Sequence, residues 1–159
     1  MFFKSDEKGQ TPSEYAVLNN RFSIKIPTEW KDNTVYSFEG PEEDGVRHNI
    51  IVTIENNVEI TELKMYAEMR IDAVANELKG YNELKRCLIE LKNRVPAYEV
   101  VYKWCPVDNR VIYQRVIYIL QNSTGFILTA SFSKKTWKTK GPEIDKILKS
   151  FTVQGMQHG

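Results

Sequence analysis

The sequence predicts a single α+β domain, an antiparallel β-sheet with two main helices, and three observations point there. Arg110–Gln121 reads Arg-Val-Ile-Tyr-Gln-Arg-Val-Ile-Tyr-Ile-Leu-Gln, and a strand sends alternate side chains to opposite faces. Both alternating sets are largely apolar, so this strand needs cover on both sides and belongs at the centre of a sheet. Its β-branched and aromatic content favours strand over helix. Thr61–Lys79 switches to the helical period, with Leu63, Ala67, Ile71, Val74 and Leu78 on one stripe. Glu83–Lys92, Ala97–Cys105 and Thr124–Phe132 flank the central strand in sequence, joined by connections short enough for antiparallel neighbours. Strands, then a helix, then a run of strands, then a helix is the order of an α+β domain, here with the helices on one sheet face.

Taken in order, residues 1–13 are polar and expected to be flexible, and residues 14–153 form the domain. Glu14–Leu18 is a short strand. Phe22–Ile26 alternates, with Phe22, Ile24 and Ile26 expected inward, and Pro27-Thr-Glu-Trp30 closes it with a turn. Val35–Glu39 is the next strand, followed by a turn at Gly40-Pro-Glu-Glu-Asp-Gly45. Asn49–Glu55 carries Ile50, Val52 and Ile54 on one face, with Ile51 and Thr53 opposite. Thr61 is the expected N-cap of the helix and Gly80 its terminator. Tyr98, Val100, Tyr102 and Trp104 share a face of their strand, as do Phe126, Leu128, Ala130 and Phe132 of theirs. Gly141-Pro142-Glu143 opens the last helix, with proline in the first turn and an acid at the positive end of the dipole. Ile144, Ile147, Leu148 and Phe151 give it an apolar face, and residues 154–159 are expected to be a flexible tail.

At 159 residues the chain suits one domain with a real core. Lys and Arg number 22 against 21 Asp and Glu, a net charge of +1, so nothing draws nucleic acid or an anionic membrane. No apolar run approaches the roughly 20 residues of a membrane span, and the N-terminus turns charged without a signal-peptide core. The expectation is a cytoplasmic protein that does not insert in membranes. Cys87 and Cys105 fall inside strands without CxxC spacing and read as reduced core thiols.

Catalytic signatures are absent: no Gly-x-Ser-x-Gly, no phosphate-cradling glycine stretch, no His-Glu-x-x-His. His48 reads as a surface residue, and Glu42-Glu43-Asp44 as a solvated turn without the alternating ligand spacing of a cation site. Lys134–Lys140 reads as a solvated loop anchored by Trp137. Trp30 and Trp104 read as core or sheet-face aromatics. The expectation is a non-enzyme with no cofactor and no metal. What remains is the sheet's second face, to which alternation assigns Val35, Ser37, Ile51, Thr53, Val111, Tyr113 and Arg115. Either the second helix or a dimer partner covers it, or it is an apolar groove for another chain's helix or peptide.

Three segments resemble a known family. Phe22-Ser-Ile-Lys-Ile-Pro-Thr-Glu-Trp30 is similar to the opening of PsbP-like and DcrB-like proteins, and Ile144-Asp-Lys-Ile-Leu-Lys-Ser-Phe151 to their closing helix. Tyr113-Gln-Arg-Val-Ile-Tyr118 resembles the central strand of the cytoplasmic branch, the Eag effector-associated chaperones of bacterial type VI secretion. The resemblance spans Phe22 to Val153. It implies a homodimer with a concave groove that shields the N-terminal transmembrane helices of a Rhs or PAAR-type effector before loading on the secretion spike. It also implies that Val35, Ser37, Ile51, Thr53, Val74, Leu78, Val111, Tyr113 and Arg115 contact the client. The alternative is a non-enzymatic PsbP-like binding or assembly-factor module for a folded protein partner.

Overall fold

The computed structural model describes residues 14–18 and 22–154. Contacts group the chain into two compact units, Met1–Asn33 and Thr34–Gly159. In the first, β1 (Glu14–Leu18) pairs antiparallel with β2 (Ser23–Pro27), in register from Glu14 opposite Pro27 to Leu18 opposite Ser23. Phe22 and Ile24 do not turn inward: both are exposed, with Ile26 half-buried. Trp30 is also exposed, in the turn closed by its N–H to the Pro27 carbonyl at 3.1 Å.

The second unit holds a six-stranded sheet of β3 (Val35–Glu43), β4 (Val46–Glu55), β5 (Asn82–Glu90), β6 (Pro96–Val107), β7 (Arg110–Gln121) and β8 (Thr124–Phe132). Its order is β3-β4-β8-β7-β6-β5 and every pairing is antiparallel. Expectation and structure agree on β7 as an inner strand of an α+β fold. The meander from β5 to β8 follows its short turns, such as Asn122-Ser123, both at positive φ. The expected turn at residues 40–45 shrinks to Asp44-Gly45, at φ 55° and 74°. A bulge between Glu39 and Glu42 accommodates Gly40-Pro41, where proline cannot donate to the ladder, so β3 and β4 run on to the turn.

The helices do not share one face. α1 (Leu63–Glu77) packs on β6 and β7, burying Tyr66, Ala67 and Ile71 against Tyr98, Val100, Tyr102, Val116 and Tyr118. α2 (Lys134–Thr139) and α3 (Gly141–Lys149) lie on the opposite face, where Ile144 and Leu148 meet Ile117, Ile119, Leu128, Ala130 and Phe132. Val116 to Ile119 of β7 are buried alternately on the two sides, which explains the doubly apolar strand. Thr61 is not the N-cap of α1; Glu62 holds that position with no side-chain cap bond, while Gly80 takes φ +69° past the end. The expected loop at Lys134–Lys140 is a helix. Ser133 and Thr136 form a reciprocal capping box that starts it, and Trp137 tucks against Phe132 at 5.1 Å between ring centroids. Cys87 and Cys105 are free and half-buried, not core thiols, because one sits on the edge strand β5 and the other near the end of β6. Val153 and Gln154 carry no regular element, and the rest of the expected tail lies outside the described residues.

Candidate functional site

Strand pairing decides which side chains share a face, and it divides the residues expected to form one groove. Val35 stands opposite Thr53 and Ser37 opposite Ile51; Ile51 and Thr53 in turn stand opposite Thr129 and Ile127 of β8. These six lie on the α1 side of the sheet. Because α1 sits over β6 and β7, it leaves the half of that face made by β3, β4 and β8 uncovered: Val35 is 53% exposed, and Ile51, Thr53, Ile127 and Thr129 are half-buried.

One wall of this open half is the flank of α1. The Arg70 guanidinium donates to both Glu55 carboxylate oxygens, at 2.9 and 2.6 Å, and the Tyr66 hydroxyl donates to the same carboxylate, tying the helix to the end of β4. Burial, with the Glu55 carboxylate beside it, pushes the Tyr66 phenol well above its usual range. Gly125 lies beneath: a Cβ there would come within 2.1 Å of the Tyr66 oxygen, so only glycine allows this approach. At the other end a polar row crosses the strands, Tyr102 Oη donating to Gln114 Oε1 at 2.7 Å and Gln114 Nε2 to Ser131 Oγ at 3.0 Å. The open area is therefore an apolar floor with hydroxyls, walled by a helix. Val74 and Leu78 do not line it; they pack, partly buried, in the core under α1.

Val111, Tyr113 and Arg115 are on the other face. Tyr113 pairs with Phe132 and Arg115 with Ala130, which puts both under α2 and α3. The Tyr113 ring stacks on Trp137 at 6.2 Å. Arg115 is only 12% exposed at its side chain and donates to Glu99 of β6 and to Asp145 of α3, the latter at 2.7 Å. Lys85 also reaches Glu99 at 3.2 Å. Arg115 therefore finds its acceptors in its own fold, on the wall of a cleft of about 360 Å³ that Leu84, Trp137 and Asp145 also line, on the opposite face from Ile51 and Thr53. Val111 is exposed, but on the α3 side.

Sequence reasoning missed a second concavity. Between β3–β4 and α3 lies a cleft of about 430 Å³ with largely apolar walls, among them Phe38 (61% exposed), Ile50 and Ile147. His48, expected at the surface, is 4% exposed on its wall, edge-on to Phe132. The bulge at Gly40-Pro41 folds over it, which the pattern of the strand could not announce. Among the described residues no three His, Cys, Asp or Glu side chains gather as a metal site, and no helix is long and apolar enough to cross a membrane.

A model of the DcrB family matches residues 22–150. Among solved structures the chain is similar to a Pseudomonas aeruginosa protein of unknown function, PA94. Its TM-score is 0.74 at 14% identity, covering 90% of this chain and 99% of that one. It is also similar to the cyanobacterial PsbP of Synechocystis, TM-score 0.50 at 14% identity, covering 92% and 95%. The Ran-binding protein Mog1p of Saccharomyces cerevisiae gives TM-score 0.50 at 10% identity, covering 84% of each chain. These likenesses establish the PsbP-like α+β fold. No curated protein matches the chain.

Proposed function

The chain belongs to the DcrB family, and from that premise we propose that it is a cytoplasmic, non-enzymatic chaperone for the N-terminal transmembrane helices of a type VI secretion effector of the Rhs or PAAR type. The coarser role, a binding or accessory protein, accords with the family. The finer reading is supported by one observation above all, the open, apolar, hydroxyl-bearing half of the α1 face. β4 is 10 residues long, about 33 Å at the rise of a strand, and a membrane helix of roughly 20 residues is about 30 Å. The strand that carries Ile51 and Thr53 and such a client helix are thus of similar length. An apolar helix in water exposes surface worth about 25 cal/mol per Å², so covering one side of it offsets several kcal/mol and blocks aggregation. Ser37, Thr53 and Thr129 offer hydroxyls for the small or polar residues by which membrane helices recognise one another. The chaperone works as a homodimer on this reading, and light scattering of the client-free protein at micromolar concentration should give twice the chain mass.

The test is co-purification with the N-terminal apolar-helix fragment of a Rhs or PAAR-type effector, with a thermal melt of each variant. Ile51→Asp should abolish capture while leaving the melt within a few degrees, because the client would have to bury an unpaired carboxylate on a floor that is wet when empty. Val111→Asp, on the opposite face, should leave capture unchanged. Retained capture by Ile51→Asp, or loss with Val111→Asp alone, overturns the placement of the site.

A further inference from the structure

We propose that the cleft between β3–β4 and α3 is a second, separate binding site, for a small neutral apolar molecule carrying one hydroxyl or amide hydrogen-bond donor. Its walls are Phe38, Ile50, Val52, Leu128, Ile147 and Phe151. At about 430 Å³ it falls in the lower range of small-molecule sites, roughly 300–1,000 Å³, and it is too small for a helix about 10 Å across. This site is therefore not another part of the helix-binding floor, and the inference does not rest on the chaperone reading.

The chemistry of the ligand follows from His48. Its Nδ1 lies 2.9 Å from the Pro41 carbonyl oxygen, which can only accept, so Nδ1 carries the proton. In the neutral ring Nε2 is then a bare acceptor. That atom is buried and has no hydrogen-bond partner among the described residues, an arrangement that costs free energy, and because almost none of its own surface is accessible, a ligand's donor meets it only once the ring turns toward the cleft. The rim fixes the ligand's charge. Lys140 is already paired with Glu43 at 3.1 Å, and Glu143 adds a further acid to the lining. Among the described residues a free anion meets no unpaired cation here, and a neutral molecule is favoured.

The experiment is a titration of the isotope-labelled full chain, followed by amide NMR, with 4-hexylphenol and with its methyl ether, 4-hexylanisole. The two probes share an apolar body, and only the phenol has a donor. Shifts should concentrate on β4 and α3, and the phenol should bind about tenfold more tightly, the worth of one buried hydrogen bond. His48→Phe keeps a ring and removes the acceptor, so it should make the two probes equal. Ile147→Trp, at an exposed wall position, should fill the mouth and weaken both. Equal affinities in the wild-type protein overturn the proposal, as do shifts confined to other elements or a preference that survives His48→Phe. Should His48→Phe fail to fold, the wild-type comparison and Ile147→Trp still decide it.

Discussion

Arg115 and Gly125 show how single residues are constrained in opposite ways. Glu99, 1% exposed, and Arg115 form a charge pair in the sheet interior, with Asp145 and Lys85 closing the set. A buried pair adds little over an apolar substitute, but removing one partner strands the other. Glu99→Ala should destabilise by about 3–5 kcal/mol, toward the low end because Asp145 still holds Arg115. Chemical denaturation measures this, and Glu99→Gln should lose less. The same logic moves Arg115→Ala from a client-binding defect to a stability defect. At Gly125 the constraint is volume. Gly125→Ala puts a methyl inside the Tyr66 ring's space, and overpacking of this kind costs about 1–3 kcal/mol, seen as a lowered denaturation midpoint with unchanged slope. The sequence announced that Arg115 needed acceptors, since a lone guanidinium on an apolar face is costly. It could not announce which ones, because Glu99 and Asp145 come from two other elements.

The elements were legible where their periodicity was long and undisturbed. β7 and β8 begin and end where alternation places them, and α1 follows its stripe to within two residues at either end. α2 was missed because Lys134-Lys-Thr-Trp-Lys-Thr has no apolar stripe, and its start depends on a local hydrogen-bond exchange between Ser133 and Thr136. Ser133→Ala should therefore cost about 0.5–2 kcal/mol in the unfolding free energy. It should also loosen the Trp137 contact with Tyr113 and Phe132, read as a change in tryptophan fluorescence. β3 and β4 were longer than expected because Gly40-Pro41, a turn signal in isolation, was absorbed by a bulge when the partner strand was long enough to continue beyond it.

For the whole molecule, stability should depend on pH through its paired carboxyls. Burial alone would raise the Asp145 carboxyl, but its bonds to Arg115 and then Lys149 outweigh that and hold it below its ordinary value. Glu83 is lowered chiefly by its hydrogen bonds from Arg86. A carboxyl depressed in the folded state contributes its stability above the unfolded value, about 4, and loses it as pH falls through the folded one. The denaturation midpoint should thus be flat near neutrality and fall below about pH 4, and Asp145→Asn should flatten that fall.

The sequence by itself determined the fold class, the central strand and the helix stripes, because these depend on each segment's own period of apolar side chains. It also separated each strand into two sets of residues. Only the tertiary structure decided which set of one strand joins which set of the next. Alternation has no phase between strands, and a shift of one residue in pairing turns a whole strand over. Val35, Ser37, Ile51 and Thr53 thus remain together on the open α1 face, while Val111, Tyr113 and Arg115 belong to the face that α2 and α3 cover. His48 and its cleft were invisible for the same reason, since β3, its bulge and α3 are brought together by pairing and packing across the chain rather than by any local pattern.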